Sequence, residues 1–415
     1  MSALSDDDVD RMVFGSLLDI SEKSLVLLAS NIGKRVLHTP SPSGKYITRF
    51  IGSYNIVHII QVDDIKVVIR IPATGWASGK TEAAAHALES QVATMRLIRE
   101  RTTVPVPEVY DFDTTDNNEI GAPYMCMSFV SGKRVSHVWF EDPNSMSREE
   151  FRLKILKNLS QIMAQFSCLT FDKIGSIIGK DAGSITLGPC YDSCENSDGT
   201  FQIVSSGPFD STSAYLKTHF EKSKLKDTYA TAEEKVMQIA MPHSPITGSQ
   251  NGFVLCHPDF NPQNVMVDEH GNVTGLIDWD LVQTIPRCVG YALYPSWITR
   301  DWDPLLYGWP HMPDSEDSPE TLERYRAYYN EELDKVLNRQ GDWKFTEKSH
   351  ITQAVWIATL SSRNRLEICR KLVQEALGVD ADEALGVIYD IGSNYYDEED
   401  FKKLNIKLVE LVTLL

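Results

Sequence analysis

Three short runs near the start of the chain, residues 46–51, 56–62 and 66–71, are dominated by β-branched and aromatic residues. They are separated by Gly52-Ser53-Tyr54-Asn55 and by Asp63-Asp64, a pattern that predicts three strands joined by tight turns. The period then changes. Leu88, Val92, Met95 and Ile98 recur at steps of three and four and predict a long helix over residues 82–101, which Pro105 and Pro107 prevent from continuing. Strand signals return at 109–112 and 124–130, and Gly132 closes the run. Beyond it the helical period dominates. Phe151, Ile155, Leu159, Ile162 and Phe166 mark one helix, and residues 318–338, 347–377 and 400–414 read as amphipathic helices. Residues 172–210, rich in Gly, Ser, Asp and Pro, predict a long loop with short strands. Residues 1–40 predict peripheral helices that end in a Pro/Ser/Gly break at 39–44. Strands with one helix, followed by a helical remainder, predict an α+β chain of two lobes: a small antiparallel sheet with one long helix, and a larger, mainly helical lobe. The expected divisions are a helical extension at 1–44, a small lobe at 45–131 and a large lobe at 132–415.

Length agrees with two lobes, because 415 residues exceed what one compact core usually holds. Charge narrows the partners. Forty basic residues against fifty-eight acidic ones give a formal charge of −18, which repels nucleic acid and anionic membranes. The acidic opening MSALSDDDVD lacks the basic and apolar regions of a signal peptide, and no apolar run is long enough to span a bilayer. Seven scattered cysteines fit reduced thiols, with Cys190 and Cys194 as loop residues, so a cytoplasmic protein is expected.

The chemistry is concentrated in residues 254–280, VLCHPDFNPQNVMVDEHGNVTGLIDWD. His257, Asp259 and Asn264 give H-x-D-x-x-x-x-N. Two strand signals then flank the turn DEHGN and lead to Asp278. Phosphoryl transfer explains these residue types. A carboxylate orients the attacking hydroxyl and takes its proton, and a magnesium ion takes hard oxygen ligands from one or two side chains and from phosphate. Asp259 suits the first task, Asn264 and Asp278 the second. His257 suits a bracing role in the loop.

This segment resembles the aminoglycoside phosphotransferase and choline kinase family, which has the protein-kinase-like fold, and looks especially like fungal phosphotransferase-like proteins of unassigned substrate. Residues 101–113, 120–132, 207–216 and 294–304 add to the resemblance. It implies ATP and Mg2+ as cofactors, Asp259 as catalytic base, and Asn264 and Asp278 as magnesium ligands. Gly52, Ser53, Tyr54 and Asn55 would form the hairpin over the phosphates, and Met127, Ser128, Phe129 and Val130 the linker that meets adenine. Arg70 occupies the third-strand position where the protein-kinase pattern has lysine, and its fork can still grip phosphate. The helix residue that should pair with it is Gln91, where the family has glutamate, or Glu89 in another register.

Past Asp278, the residues Trp279, Tyr294, Trp297 and Trp302 with Asp280, Asp301 and Asp303 mix aromatic faces and carboxylates, a mixture suited to a cationic amine. Asp280, Trp297, Asp301 and Trp302 are therefore expected at the acceptor. The expected activity is transfer of the γ-phosphate of ATP to a hydroxyl of a small, amine-bearing molecule, by a monomer or homodimer. The alternative is a nucleotide-binding pseudokinase acting as a regulatory module, suggested by Gln91. A protein kinase is disfavoured, since Asp278-Trp279-Asp280 stands where D-F-G would and no A-P-E follows.

Overall fold

A computed structural model describes residues 5–39, 43–143, 146–179, 184–220, 227–248 and 252–414. Parts of the expected break at 39–44 and of the expected loop at 172–210 lie outside them. The backbone forms two compact units, one of residues 1–132, 175–208 and 274–283, the other of 133–174, 209–273 and 284–415.

In the first unit, strands β1 (Gly44–Ile51), β2 (Asn55–Val62), β3 (Ile65–Pro72), β4 (Val109–Asp113) and β5 (Tyr124–Ser128) form one antiparallel sheet in the order β1-β2-β3-β5-β4. The strand residues alternate as a two-residue period requires. Val67, Ile69 and Ile71 of β3 share a core with Ile56, Ile60 and Val62 of β2, which leaves Arg70 on the opposite face. Helices α1 (Asp6–Phe14) and α2 (Glu22–Arg35) were expected to be peripheral. They are not: Phe14, Leu25, Leu28 and Ile32 are buried in that same core. Serine caps begin both helices, Ser5 accepting from Asp8 N–H and Ser21 from Ser24 N–H. Helix α3 (Glu82–Arg101) packs against two hairpins drawn from the predicted loop, Ser176–Ile178 with Thr186–Gly188 and Cys190–Glu195 with Phe201–Ser206.

The second unit is mainly helical, with α4 (Arg148–Ala164), α5 (Thr228–His243), α6 (Pro319–Leu337), α7 (Ser349–Leu360), α8 (Ser362–Leu377), α9 (Ala381–Ser393) and α10 (Glu398–Val412). The single helix predicted over 347–377 is broken, because Ser361 adopts extended backbone between α7 and α8. A small sheet orders Thr284–Pro286, Phe253–Leu255 and Thr170–Phe171, and Phe253–Leu255 leads directly into the H-x-D loop. The expected combination of a small antiparallel sheet and a larger helical body is therefore what the chain forms. No described helix is long and apolar enough to cross a membrane.

Candidate functional site

In the second unit the H-x-D loop follows a fully buried strand, which fixes its entry. His257 is buried, and its Nδ1 accepts the backbone N–H of Asp259 at 3.2 Å, the bracing expected of it. The Asp259 carboxylate is held on both oxygens. Asn261 donates to Oδ1, and Asn264 Nδ2 donates to Oδ2 at 2.8 Å and to the Asp259 carbonyl at 2.9 Å. Asn264 thus spends its amide hydrogens on Asp259, and its carbonyl oxygen accepts from no described residue. Ser296 in turn donates to the Asn261 carbonyl oxygen. The result is a chain of three polar side chains that fixes the Asp259 carboxylate. Asn261 and Ser296 had not been anticipated from the sequence. Asn261 could have been, as an amide two residues beyond the catalytic candidate; Ser296 had no local signal.

Asn261 and Ser296 also line a cavity of about 550 Å³ in this unit. Trp297 and Trp302 line it too. Asp301 does not fulfil its expectation. It is buried behind the wall and takes both Arg326 nitrogens, at 2.7 and 3.0 Å, so its charge is already neutralised. Arg326 lies 25 residues away on α6, too far for the sequence to announce the pair.

In the first unit, β3 delivers Arg70 to a cluster with Asp278 and Asp280. Arg70 donates to Asp278 Oδ1 at 2.5 Å and to the two Asp280 oxygens at 2.7 and 2.8 Å. Asn55, at the end of the Gly52–Asn55 turn, donates to Asp280 at 2.6 Å. Two expectations need correcting. Asp280 serves Arg70 and Asn55 and lies in the first unit, whereas the lining of the cavity comes from the second. The partner of Arg70 is this carboxylate pair, neither Gln91 nor Glu89. Glu89 is exposed on α3, and Gln91 is buried with its amide nitrogen without a hydrogen-bond partner among the described residues.

Burial opposes the Arg70 charge, but Asp280 and Asp278 outweigh it and raise the guanidinium pKa. Burial raises the carboxyl pKa of Asp280, against the pull of Arg70 and with a further push from Asp278. Asp278 gives Arg70 one oxygen, is exposed, and holds a φ of 68°, a left-handed conformation that aspartate tolerates better than most residues. Gly52, Ser53 and Tyr54 are exposed at the hairpin tip. Met127 and Ser128 still belong to β5, so only Phe129 and Val130 of the expected linker lie beyond the strand. Among the described residues no group of three or more His, Cys, Asp or Glu could hold a metal ion by itself.

The loop, its polar brace and part of the cavity wall fall within one stretch that has relatives. Residues 209–337 match the phosphotransferase enzyme family. The match covers less than half of the chain but contains Asp259, Asn264 and Asp278, and it is the family that the H-x-D segment resembles. Among individual proteins, a subtelomeric hrmA-associated cluster protein of Aspergillus fumigatus is 24% identical over 333 residues, 64% of this chain and 63% of its own length. Clavilactone A biosynthesis cluster protein Y of Ampulloclitocybe clavipes is 24% identical, over 51% of this chain and 54% of its own. The chain thus spans under two thirds of these relatives. Of solved structures, aminoglycoside phosphotransferase APH(4)-Ia aligns with 91% of this chain and all of its own at 12% identity and a TM-score of 0.47. Spectinomycin phosphotransferase APH(9)-Ia, in complex with ADP and spectinomycin, aligns with 90% of this chain and 94% of its own at 11% and 0.38. Similarity that low says nothing of this chain's substrate.

Proposed function

We propose that this phosphotransferase-like chain uses ATP and magnesium to phosphorylate a hydroxyl group of a small molecule. The observation that carries the reading is the Asp259 carboxylate, fixed by amides from Asn261 and Asn264, with Asn261 also lining the adjoining cavity. In the proposed step the acceptor oxygen attacks the γ-phosphorus and forms the new P–O bond. The bond from phosphorus to the β–γ bridging oxygen breaks, ADP leaves with that electron pair, and the acceptor's proton passes to Asp259.

Asn264 and Asp278 are each proposed as magnesium ligands on their donor chemistry. The Asn264 carbonyl and the second carboxylate oxygen of Asp278 are hard oxygens that accept from no described residue. Magnesium bound there would offset charge on the phosphate oxygens. Arg70, held by its two carboxylates, keeps further N–H donors for phosphate. The exposed tip Gly52–Tyr54 suits a phosphate cover, and Phe129 and Val130 suit contact with the base. The binding-module alternative is not favoured, since the matching family is one of enzymes.

The test is release of ADP in the presence of magnesium and a panel of hydroxyl-bearing acceptors. Asp259→Asn should lower turnover by about 10²–10⁴-fold while ATP affinity stays within a few-fold, because the carboxylate acts on the acceptor's proton. Wild-type turnover in that variant would remove Asp259 from the chemistry.

A further inference from the structure

The cavity beside Asp259 is lined by carboxylates, yet nearly all of them are already paired. Glu316 meets Arg300 at 2.7 Å, Asp317 meets Arg152 at 2.8 Å, and Glu367 meets Arg370 at 2.7 Å. Asp303 lies 3.7 Å from Arg300, whose charge it shares with Glu316. Burial raises the Asp303 carboxyl pKa, against the pull of Arg300.

The faces of Trp139, Phe140 and Trp302 are taken as well. The Arg152 guanidinium sits 4.9 Å from the ring centres of both Trp139 and Phe140, and the Lys371 ammonium 5.4 Å from that of Trp302. A cationic ligand would have to displace protein cations from both kinds of site.

What the wall leaves without a partner is uncharged. Trp297 Nε1 and His350 Nδ1 are buried and have no hydrogen-bond partner, although both residues line the cavity. His350 is held neutral: burial, then Arg326 and Lys371, push its pKa down to about 3. Gln353 and Asn364 add amide groups on the same wall. An indole N–H, a neutral imidazole and amides are groups that exchange hydrogen bonds with hydroxyls, and the Trp297 indole, over which no described cation sits, suits C–H surface.

We propose that the cavity takes its acceptor as an uncharged, polyhydroxylated ring compound with one apolar face, and selects against amines. This rests on the phosphotransferase reading for the word acceptor, but not for the binding itself. Hydroxyls on the ring satisfy Trp297 Nε1 and His350 Nδ1, and the hydroxyl nearest Asn261 is the one presented to Asp259.

Tryptophan fluorescence offers a direct test, since Trp139, Trp297 and Trp302 all line the cavity. The probes are matched pairs: methyl and phenyl glucosides and myo-inositol, each against the amino sugar or aminocyclitol of the same ring. Neutral members should bind at least about fivefold more tightly than their aminated partners. Their affinity should hold between about 50 and 500 mM salt. Trp297→Phe, which keeps the ring stack and removes the N–H, should weaken neutral binding several-fold with an unchanged melting temperature. Tighter, salt-sensitive binding of the aminated members overturns the proposal, and so does failure of every pair to bind. ADP release measured in parallel separates the two readings. Neutral binding without phosphate transfer sinks the phosphotransferase, whereas transfer to amines alone sinks only the acceptor class.

Discussion

Asp278 carries two duties that a substitution can pull apart. Its carboxylate holds Arg70 through one oxygen and is proposed to hold magnesium through the other. Asp278→Ala removes both, and Asp278→Asn keeps an acceptor for Arg70 while losing the charge. Titration calorimetry of ATP with and without magnesium should therefore show the metal's enhancement of binding lost in both variants, while metal-free binding changes only in the alanine variant. An unchanged magnesium effect in Asp278→Asn would dismiss the ligand role. Arg70 illustrates the same limit of local reading. The sequence placed a cation on the third strand, but its partners stand 208 and 210 positions away. The family resemblance pointed to Gln91, or to Glu89 in another register, and neither is the partner.

At the scale of elements, the helices of the second unit depend on close approaches as much as on caps. Gly392 of α9 packs so tightly against α5 that an added Cβ would lie 1.9 Å from the Thr228 carbonyl oxygen. Backbone cannot yield as a side-chain tip would. Gly392→Ala should destabilise the protein by about 1–3 kcal/mol, the usual cost of overpacking, rather than stabilise it as alanine in a helix otherwise does. A denaturation midpoint at or above that of the natural chain would refute the close packing. Helix α9 was not expected from the sequence, where two glycines weaken the helical signal; the Asp380 cap, which accepts from Asp382 and Glu383 N–H, was the available clue. The split between α7 and α8 was missed as well, although the polar run Ser361–Arg365 interrupts the apolar positions between Leu360 and Leu366.

On the scale of the whole molecule, acid should loosen both units. His58 in the first is pushed down to about 4 by burial and then by Arg49, and His350 in the second to about 3. Each is neutral when folded but takes a proton near its ordinary value of 6.5 when unfolded. The stability they contribute is therefore complete above pH 6.5 and drains away as the pH falls from there toward 4 and then 3. Urea midpoints should drop over that window, and His350→Gln should flatten part of the drop. A variant that tracks the natural chain between pH 7 and 4 would clear His350 of the effect. The formal charge of −18 acts differently: it repels polyanions at long range but leaves the wall of the cavity locally balanced.

That contrast separates what the sequence determined from what folding decided. The strand period over residues 46–71, the helical period of α3, and the spacing of His257, Asp259 and Asn264 were legible because each depends on neighbours within a few residues. The α+β division and the resemblance to phosphotransferases followed from them. The role expected of Asp301 and Trp302 could not be settled that way. Trp302 lines the cavity and Asp301 lies behind its wall, and both are already engaged, Asp301 by Arg326 and Trp302 by Lys371. A residue's charge is written in the sequence, but whether that charge is free is set by partners brought together from distant segments. Tertiary structure therefore decided that Asp301 and Trp302 are already engaged by protein cations.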